Sequence, residues 1–387
     1  MPLANGFLRR EDFAGEYFFE LKAGFCGRCS LVQLIDTVPR EKMFHDRYPF
    51  FTSSSERMKA HFSGWAARLL KELPAARDPF VVEIGSNDGT MLEPIAAAGI
   101  RHLGIEPSAN VDSAARQKGL ATLRRFFDEE TARQIVRDQG QADAIVAANC
   151  FCHIPDLNSL ATAALILLKP DGILTFEDPY LGDIVSKTAY DQIYDEHAHY
   201  FSIAAVAYWL GSHGLEIVDA APQDVHGGSM RYTICRRGVR RGSPRVQALR
   251  QEELKLGLHL PETYARLRGR IERSREELVA LLGELKQKGK RVAGYAATSK
   301  STTVFNYCGI TAELVEFISD TTPLKQGKFS PGAHIPVRPH AEFQARYPDY
   351  ALLLAWNHAA EIMDKEPDFR RSGGKWISYV PRVAVSP

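Results

Sequence analysis

The sequence predicts an α/β protein built around a doubly wound, Rossmann-like parallel sheet, with a small N-terminal module before it and a second, smaller α/β domain after it. Three observations carry this. Apolar runs of strand length recur between helix-length stretches from residue 80 onward, a glycine-rich loop (Glu83-Ile84-Gly85-Ser86-Asn87-Asp88-Gly89) directly follows the first run, and the alternation starts again near residue 291 beyond a long amphipathic stretch. Strands that alternate with helices form parallel sheets, whose sites lie at the strand C-terminal ends.

Residues 1–40 mix short apolar runs with the turn Cys26-Gly27-Arg28-Cys29, which predicts an irregular module with a hairpin at 25–34. It is too small for a core of its own. Residues 55–74 set Met58, Phe62, Trp65, Leu69 and Leu73 at helical spacing and end at Pro74. The central strands fall at 80–84, 102–105, 144–148 and 173–176. Residues 236–245 hold five arginines and two glycines without an acid, the pattern of an exposed connector rather than a binding patch. Residues 262–288 form a long helix with Leu267, Ile271, Leu278, Leu282 and Leu285 on one stripe. Strands at 291–297, 314–319 and 350–355 then build the last domain. The expected divisions are 1–45, 46–240, a helical connector at 241–288, and 289–387.

At 387 residues the chain is too long for one ordinary core. Lys plus Arg total 48 against 47 Asp plus Glu, so no net field favours nucleic acid or an acidic membrane, and any anion site must be local. No 18-residue apolar run and no charged-then-apolar leader pattern occur. The expectation is a cytoplasmic protein with a small-molecule partner, no nucleic acid and no membrane, acting as a monomer or small homo-oligomer. Cys150, Cys152, Cys235 and Cys308 sit in apolar or strand-like surroundings that suit reduced thiols. Cys26 and Cys29 instead have the spacing of half a zinc site, with His45 the one early histidine available as a third ligand. Two thiols in a metal-free turn fit that spacing equally.

The glycine loop selects the cofactor. A dinucleotide fold wants G-x-G-x-x-G so that backbone amides meet a pyrophosphate. Gly85 and Gly89 stand four apart with Asn87 and Asp88 between them and no middle glycine. That turn suits S-adenosylmethionine, which carries hydrogen-bonding groups and no phosphate. Glu106 ends the next strand, where a carboxylate accepts from both ribose hydroxyls, and Asn149 closes the fourth strand region at the same edge. Lys169-Pro170-Asp171-Gly172 reads as a helix-stop turn before the next strand.

With these pieces the chain resembles the S-adenosylmethionine-dependent sugar C-methyltransferases of deoxysugar biosynthesis, which methylate a carbon of a nucleotide-linked 4-keto-6-deoxyhexose. The resemblance rests on Pro2-Leu3-Ala4-Asn5, the Cys26/Cys29 turn, 48–54, 83–89, Asn149 with His153-Ile154-Pro155-Asp156, and 193–201 with Glu196-His197. It continues through His226-Gly227-Gly228-Ser229, 300–310, 320–336 and Trp356-Asn357. It implies an N-terminal zinc-binding module, a central cofactor domain and a C-terminal domain that helps hold the nucleotide-sugar. It further implies roles for Tyr48 and His153 as lid and substrate-contacting groups, with His153 a candidate enolate stabiliser. The first Cys-x-x-Cys expected from the family is missing here, which leaves a structural zinc with an incomplete ligand set.

Forming a carbon–carbon bond from a sulfonium methyl needs a carbanion equivalent, and a sugar carbon supplies one when a neighbouring ketone lets its proton leave as an enolate. A base and an oxyanion stabiliser are required. Tyr194-Asp195-Glu196-His197-Ala198-His199-Tyr200-Phe201 concentrates such groups. His197 is the expected base, Tyr194 its relay or alternative if the segment is helical, and Glu196 its orienting group. His199, Tyr200 and Phe201 are expected to pack, and His102 and His213 to be surface or structural. For the nucleoside diphosphate the candidates are His226, Gly228, Ser229 and Arg231 in a Gly-rich turn, with Lys300, Ser301, Lys325 and Lys328. Each of these is also explained by a tight turn or solvated lysines. Two other functions fit the layout: a nicotinamide-dependent keto-sugar oxidoreductase, alone or combined with methylation, and a non-catalytic nucleotide-sugar-binding protein. The first lacks its glycine motif, and the second gives no reason for Tyr194, Glu196 and His197 to occur together.

Overall fold

The computed structural model describes residues 1–46, 48–73 and 78–387; Pro74, where the sequence ends the first long helix, lies outside the described residues. Sixteen strands form among the described residues. They are β1 (Ala23–Phe25), β2 (Val32–Leu34), β3 (Phe80–Ile84), β4 (Arg101–Ile105), β5 (Thr122–Leu123), β6 (Ala142–Ala148), β7 (Leu168–Pro179) and β8 (His199–Tyr200). The rest are β9 (Leu215–Gln223), β10 (Ser229–Arg236), β11 (Val292–Tyr295), β12 (Ile318–Asp320), β13 (Val337–Pro339), β14 (Tyr350–Leu353), β15 (Lys375–Ser378) and β16 (Ala384–Ser386). No helix among the described residues is long and apolar enough to cross a membrane.

The central sheet has the order β5-β4-β3-β6-β7-β10-β9. It is parallel from β5 to β7, but β10 runs antiparallel to both of its neighbours, so the expected parallel sheet carries one reversed strand. Both faces are buried because successive side chains alternate. Val81, Ala144 and Val146 pack against Met58, Phe62 and Trp65 of the Glu56–Glu72 helix. Val82, Ile84, Ile145 and Ala147 face the helices on the other side. Ser55 starts the Glu56–Glu72 helix by accepting from the Met58 amide. The Lys169–Gly172 turn is absorbed into the start of β7, where the pairing with β6 shifts register between Ala142 and Ala144. That shift lets β6 and β7 pair on both sides of the turn.

The C-terminal sheet, β13-β12-β11-β14-β15-β16, is parallel except at its last strand. Its second strand is shorter than the apolar run predicts, covering Ile318–Asp320. The Pro261–Gln287 helix serves two cores with its single stripe. Leu278, Leu282 and Leu285 pack on the C-terminal sheet, while Leu267 joins Val32, Leu34, Leu181 and Tyr200. The N-terminal hairpin is equally dependent on its surroundings, since β2 pairs with β8 within the acid/base segment.

Arg231 lies in β10 and its guanidinium is taken. Nε and one terminal nitrogen donate to Glu177 Oε2 at 2.9 and 2.7 Å, the Trp65 ring lies 4.0 Å beneath, and His61 Nε2 donates to the other Glu177 oxygen at 2.8 Å. Burial pushes the guanidinium pKa down while Glu177 holds it up. Sequence reasoning offered this arginine to a phosphate, but the pairing pins the Glu56–Glu72 helix to the sheet instead. Arg231→Met would strand a buried carboxylate, so a loss of about 3–5 kcal/mol is expected from denaturant unfolding. A loss below about 1 kcal/mol, the range of an exposed pair, would contradict that role.

Candidate active site

Between the short 3-10 helix Tyr190–Gln192 and β8 the segment that carries Tyr194 and His197 is a turn, not a helix. His197 N donates to Tyr194 O at 3.0 Å, closing a turn that brings the two side chains together all the same. The Tyr194 hydroxyl lies 2.7 Å from His197 Nε2, and His197 Nδ1 lies 2.8 Å from the Gln192 carbonyl. A carbonyl only accepts, so Nδ1 carries the proton, and Nε2 accepts from Tyr194. Burial pushes the His197 pKa well below its ordinary value, helped by His153 and Lys300 and opposed by the Gln192 bond. The imidazole is therefore neutral near pH 7, with its lone pair directed at Tyr194.

Neighbouring elements fix this turn from both sides. Asp191 Oδ2 accepts from Trp356 Nε1 at 2.6 Å and from the Tyr379 hydroxyl at 2.8 Å, and Thr303 Oγ1 donates to Ile193 O at 3.0 Å. Gln192 Nε2 donates to the His226 carbonyl at 2.5 Å. On the N-terminal side, the Ala4 amide donates to Asp195 Oδ1 at 2.9 Å and Asn5 Nδ2 to Glu196 Oε1 at 2.7 Å, while the Tyr48 hydroxyl reaches Glu196 Oε2 at 3.4 Å. Burial first, then the charge of Asp195, pushes Glu196 up to about 8, and the bonds from Asn5 and Tyr48 oppose this. Burial holds Asp195 at about 6.

A cavity of about 630 Å³ opens beside these groups, between the central and C-terminal sheets. Tyr194, Glu196, His197, Tyr48, His153, Asn5, Gly85, Asn87, Glu106, Asn149, His226, Lys300 and Lys325 all line it. The glycine loop forms one end. Gly85 has φ +70°, and a Cβ there would lie 2.7 Å from Cys150 Sγ, so only glycine lets the loop approach. Glu106 accepts from the Asn87 and Ser108 amides at 3.0 and 2.8 Å, and burial raises its pKa. Asn149 holds φ +49° at the end of β6, and its buried Oδ1 has no partner among the described residues. A glycine cradle, a strand-end carboxylate and an orphaned amide oxygen fit a ligand that brings donors and a positive charge, as S-adenosylmethionine does.

Asn87 and Asp88 do more than sequence reasoning assigned. Asn87 Oδ1 accepts from Thr52 N and Oγ1 at 3.0 and 3.2 Å, and Asp88 Oδ2 accepts from Ser53 N at 3.0 Å. They hold the 48–54 strap across the loop. Asp88 and Gly89 lie behind the cavity wall.

At the far end, Lys300 is half-buried within electrostatic reach of Asp191, and Lys325 donates to Ala297 O at 2.7 Å, within electrostatic reach of Asp320 and Glu196. Burial lowers both pKa values. Arg231, Gly228, Ser229, Ser301 and Lys328 do not line the cavity. Gly227 and Gly228 have φ +88° and +127°, and a Cβ on them would collide with Trp356 and Asp183 respectively, so this turn packs the two domains rather than cradling an anion directly. Ser229 donates to Val225 O, Ser301 to Thr298 O, and the Lys328 backbone pairs with Lys325 and Val337. His226 stays in the wall, its pKa pushed down to about 3 by burial.

Cys26 and Cys29 sit in the β1–β2 turn, where the Cys26 amide donates to Leu31 O. Among the described residues no third metal-binding side chain, His45 included, converges on them. Two thiols leave a tetrahedral zinc site unfinished. Sequence reasoning assigned no role to Asn5, Gln192 or Asp191. Asn5 lay within a quoted motif, but its partner is 191 positions away.

Three family models match the chain: a proposed zinc binding domain over residues 1–44, a methyltransferase domain over 56–220 and a C-methyltransferase C-terminal domain over 224–381. The C-methyltransferase NovU of Streptomyces niveus is 34% identical over 386 residues, covering 99% of this chain and 92% of the relative. A ubiquinone biosynthesis O-methyltransferase of Colwellia psychrerythraea is 24% identical over 37% of this chain and 63% of its own length. Among solved structures, the magnesium protoporphyrin IX methyltransferase of Synechocystis with bound S-adenosylmethionine overlays 46% of this chain and 79% of its own, at 15% identity and a TM-score of 0.34.

The Asn5 bond favours the charged form of Glu196. Asn5→Ala should therefore raise the pH at which Glu196 ionises, from about 8, by about one to two units. Carboxyl carbon chemical shifts would read this, and an unmoved titration would contradict the contact.

Proposed function

The chain belongs to the C-methyltransferase family, and on that premise we propose that it transfers a methyl group to a ring carbon, C-3, of a nucleotide-linked 4-keto-6-deoxy sugar through a base-generated enolate. The observation that carries this reading is the Tyr194–His197 pair: a neutral imidazole with its protonated nitrogen held by a carbonyl and its free nitrogen met by a phenol, inside the cavity.

The donor is S-adenosylmethionine, which when bound supplies an electrophilic methyl group. Gly85, Glu106 and Asn149 would hold it at the glycine-loop end. The ketone-bearing ring lies against the Tyr194 side of the cavity. The proton on the carbon beside the ketone passes to the Tyr194 oxygen as the phenol proton passes to His197 Nε2, which leaves an enolate on the substrate and an imidazolium on the protein. Nδ1 keeps its proton throughout because the Gln192 carbonyl holds it, so the imidazole cannot turn its protonated nitrogen toward the substrate. His153, whose pKa burial pushes down to about 4, is a neutral donor for the enolate oxygen, and Lys300 adds positive charge nearby. Glu196, held by Asn5 and Tyr48, positions the turn. Lys325 and the loop of 296–300 at the end of β11 reach the diphosphate and nucleoside.

Incubation with donor labelled in the methyl group and a panel of nucleotide-linked keto-deoxyhexoses should give a product whose label sits on ring carbon 3. Label on oxygen, on another carbon, or on no member of the panel would overturn the reading. His197→Asn should lower turnover by about 10²–10⁴ with donor affinity unchanged. Equal turnover would remove His197 from the mechanism.

A further inference from the structure

Cys152 has no part in that chemistry and lies behind the wall of the same cavity, between the lining residues Cys150 and His153. It occupies the Phe151–His153 turn after β6, buried at 1% exposure. Its sulfur, one ring nitrogen of His153 and one of His197 lie within 4.8 Å of one another, the one such convergence of three metal-binding side chains among the described residues. Thiolate and imidazole are the donors that Zn²⁺ prefers, at about 2.3 and 2.0–2.1 Å. A tetrahedral set at those lengths needs the ligand atoms about 3.3–3.8 Å apart, a closure of about 1 Å.

The surroundings resemble the outer shell of a metal site. Metal-binding histidines commonly donate their second nitrogen to a carbonyl, and His197 Nδ1 already does so to Gln192. His153 Nε2 is buried without a partner among the described residues. The Cys152 thiol hydrogen-bonds Asp178, whose carboxylate also accepts from the Cys150 and Cys152 amides at 3.1 and 3.2 Å. Asp178 and Glu196 both lie within electrostatic reach of the thiol.

We propose that Cys152, His153 and His197 form a binding site for a zinc-class divalent ion whose occupancy switches the enzyme off. Coordination engages the His197 lone pair, displaces the Tyr194 hydroxyl and releases the Cys152 thiol proton to solvent. The inhibitory consequence rests on His197 acting as the base, whereas the site itself does not.

The test compares the full chain with Cys152→Ser, and with Cys152→Ala should the serine variant fail to fold. Chelator-treated proteins are titrated with Co²⁺, then assayed for methyl transfer with added Zn²⁺. Cys26 and Cys29 contribute equally to both spectra, so the difference isolates Cys152. The parent should show extra thiolate-to-cobalt absorption in the near ultraviolet. It should also lose activity at zinc concentrations lower than the variant tolerates, by at least the about tenfold that loss of even an outer partner brings. The metal-free variant should turn over within about twofold of the parent, in keeping with a thiol that touches no reacting group. Identical cobalt spectra would overturn the site. A Cys152-dependent spectrum with no loss of activity would overturn the inhibitory role and count against His197 as base, while leaving the site standing.

Discussion

The hydrogen bond from His197 Nδ1 to the Gln192 carbonyl is the constraint on which the site depends. An imidazole can present either nitrogen, and in a buried turn nothing intrinsic chooses between them. The carbonyl chooses. With Nδ1 committed as donor, Nε2 must accept, and the hydroxyl it accepts from is Tyr194. Removing water from the ring then keeps the free nitrogen unprotonated near neutral pH, so tautomer and charge state follow from one contact and its burial.

That contact holds only because the turn is fixed by three parts of the chain. The C-terminal domain grips Asp191 through Trp356 and Tyr379, the Gly-rich turn before β10 takes the Gln192 side chain, and the N-terminal segment supplies Ala4 and Asn5 to Asp195 and Glu196. Each partner is remote in sequence and none is a catalyst by chemistry. The N-terminal module gains a purpose from this: β2 pairs with β8, and its leading residues hold the two carboxylates. The buried carboxylates have few cations to answer them. Glu83, Glu106, Asp178 and Glu196 are all pushed up by burial, a setting that favours a ligand carrying positive charge at the loop end.

Much of the fold was legible because hydrophobic periodicity reports local geometry. Residues 80–84 form a strand with those bounds, and the long helix expected at 262–288 is Pro261–Gln287. Gly85 was legible as a loop residue, and Tyr194 with His197 as a pair, because three-residue spacing brings side chains together in a turn as well as in a helix. Arg231 was misjudged for a physical reason: a guanidinium near a glycine turn looks free until strand alternation and a partner 54 residues away are known. The two-residue strand β8 carries too short a pattern to register, and the roles of Asn5 and Gln192 arise from contacts that no local pattern encodes.

The central claim is that Tyr194 and His197 make an enolate before any methyl group moves. Incubating the enzyme with the keto-sugar in deuterium oxide, without methyl donor, tests it directly by the exchange of hydrogen at the carbon beside the ketone. The account predicts deuterium at that carbon with the parent enzyme and only background exchange with His197→Asn. Equal exchange by both proteins, or none above background by the parent with a sugar it methylates, would contradict it.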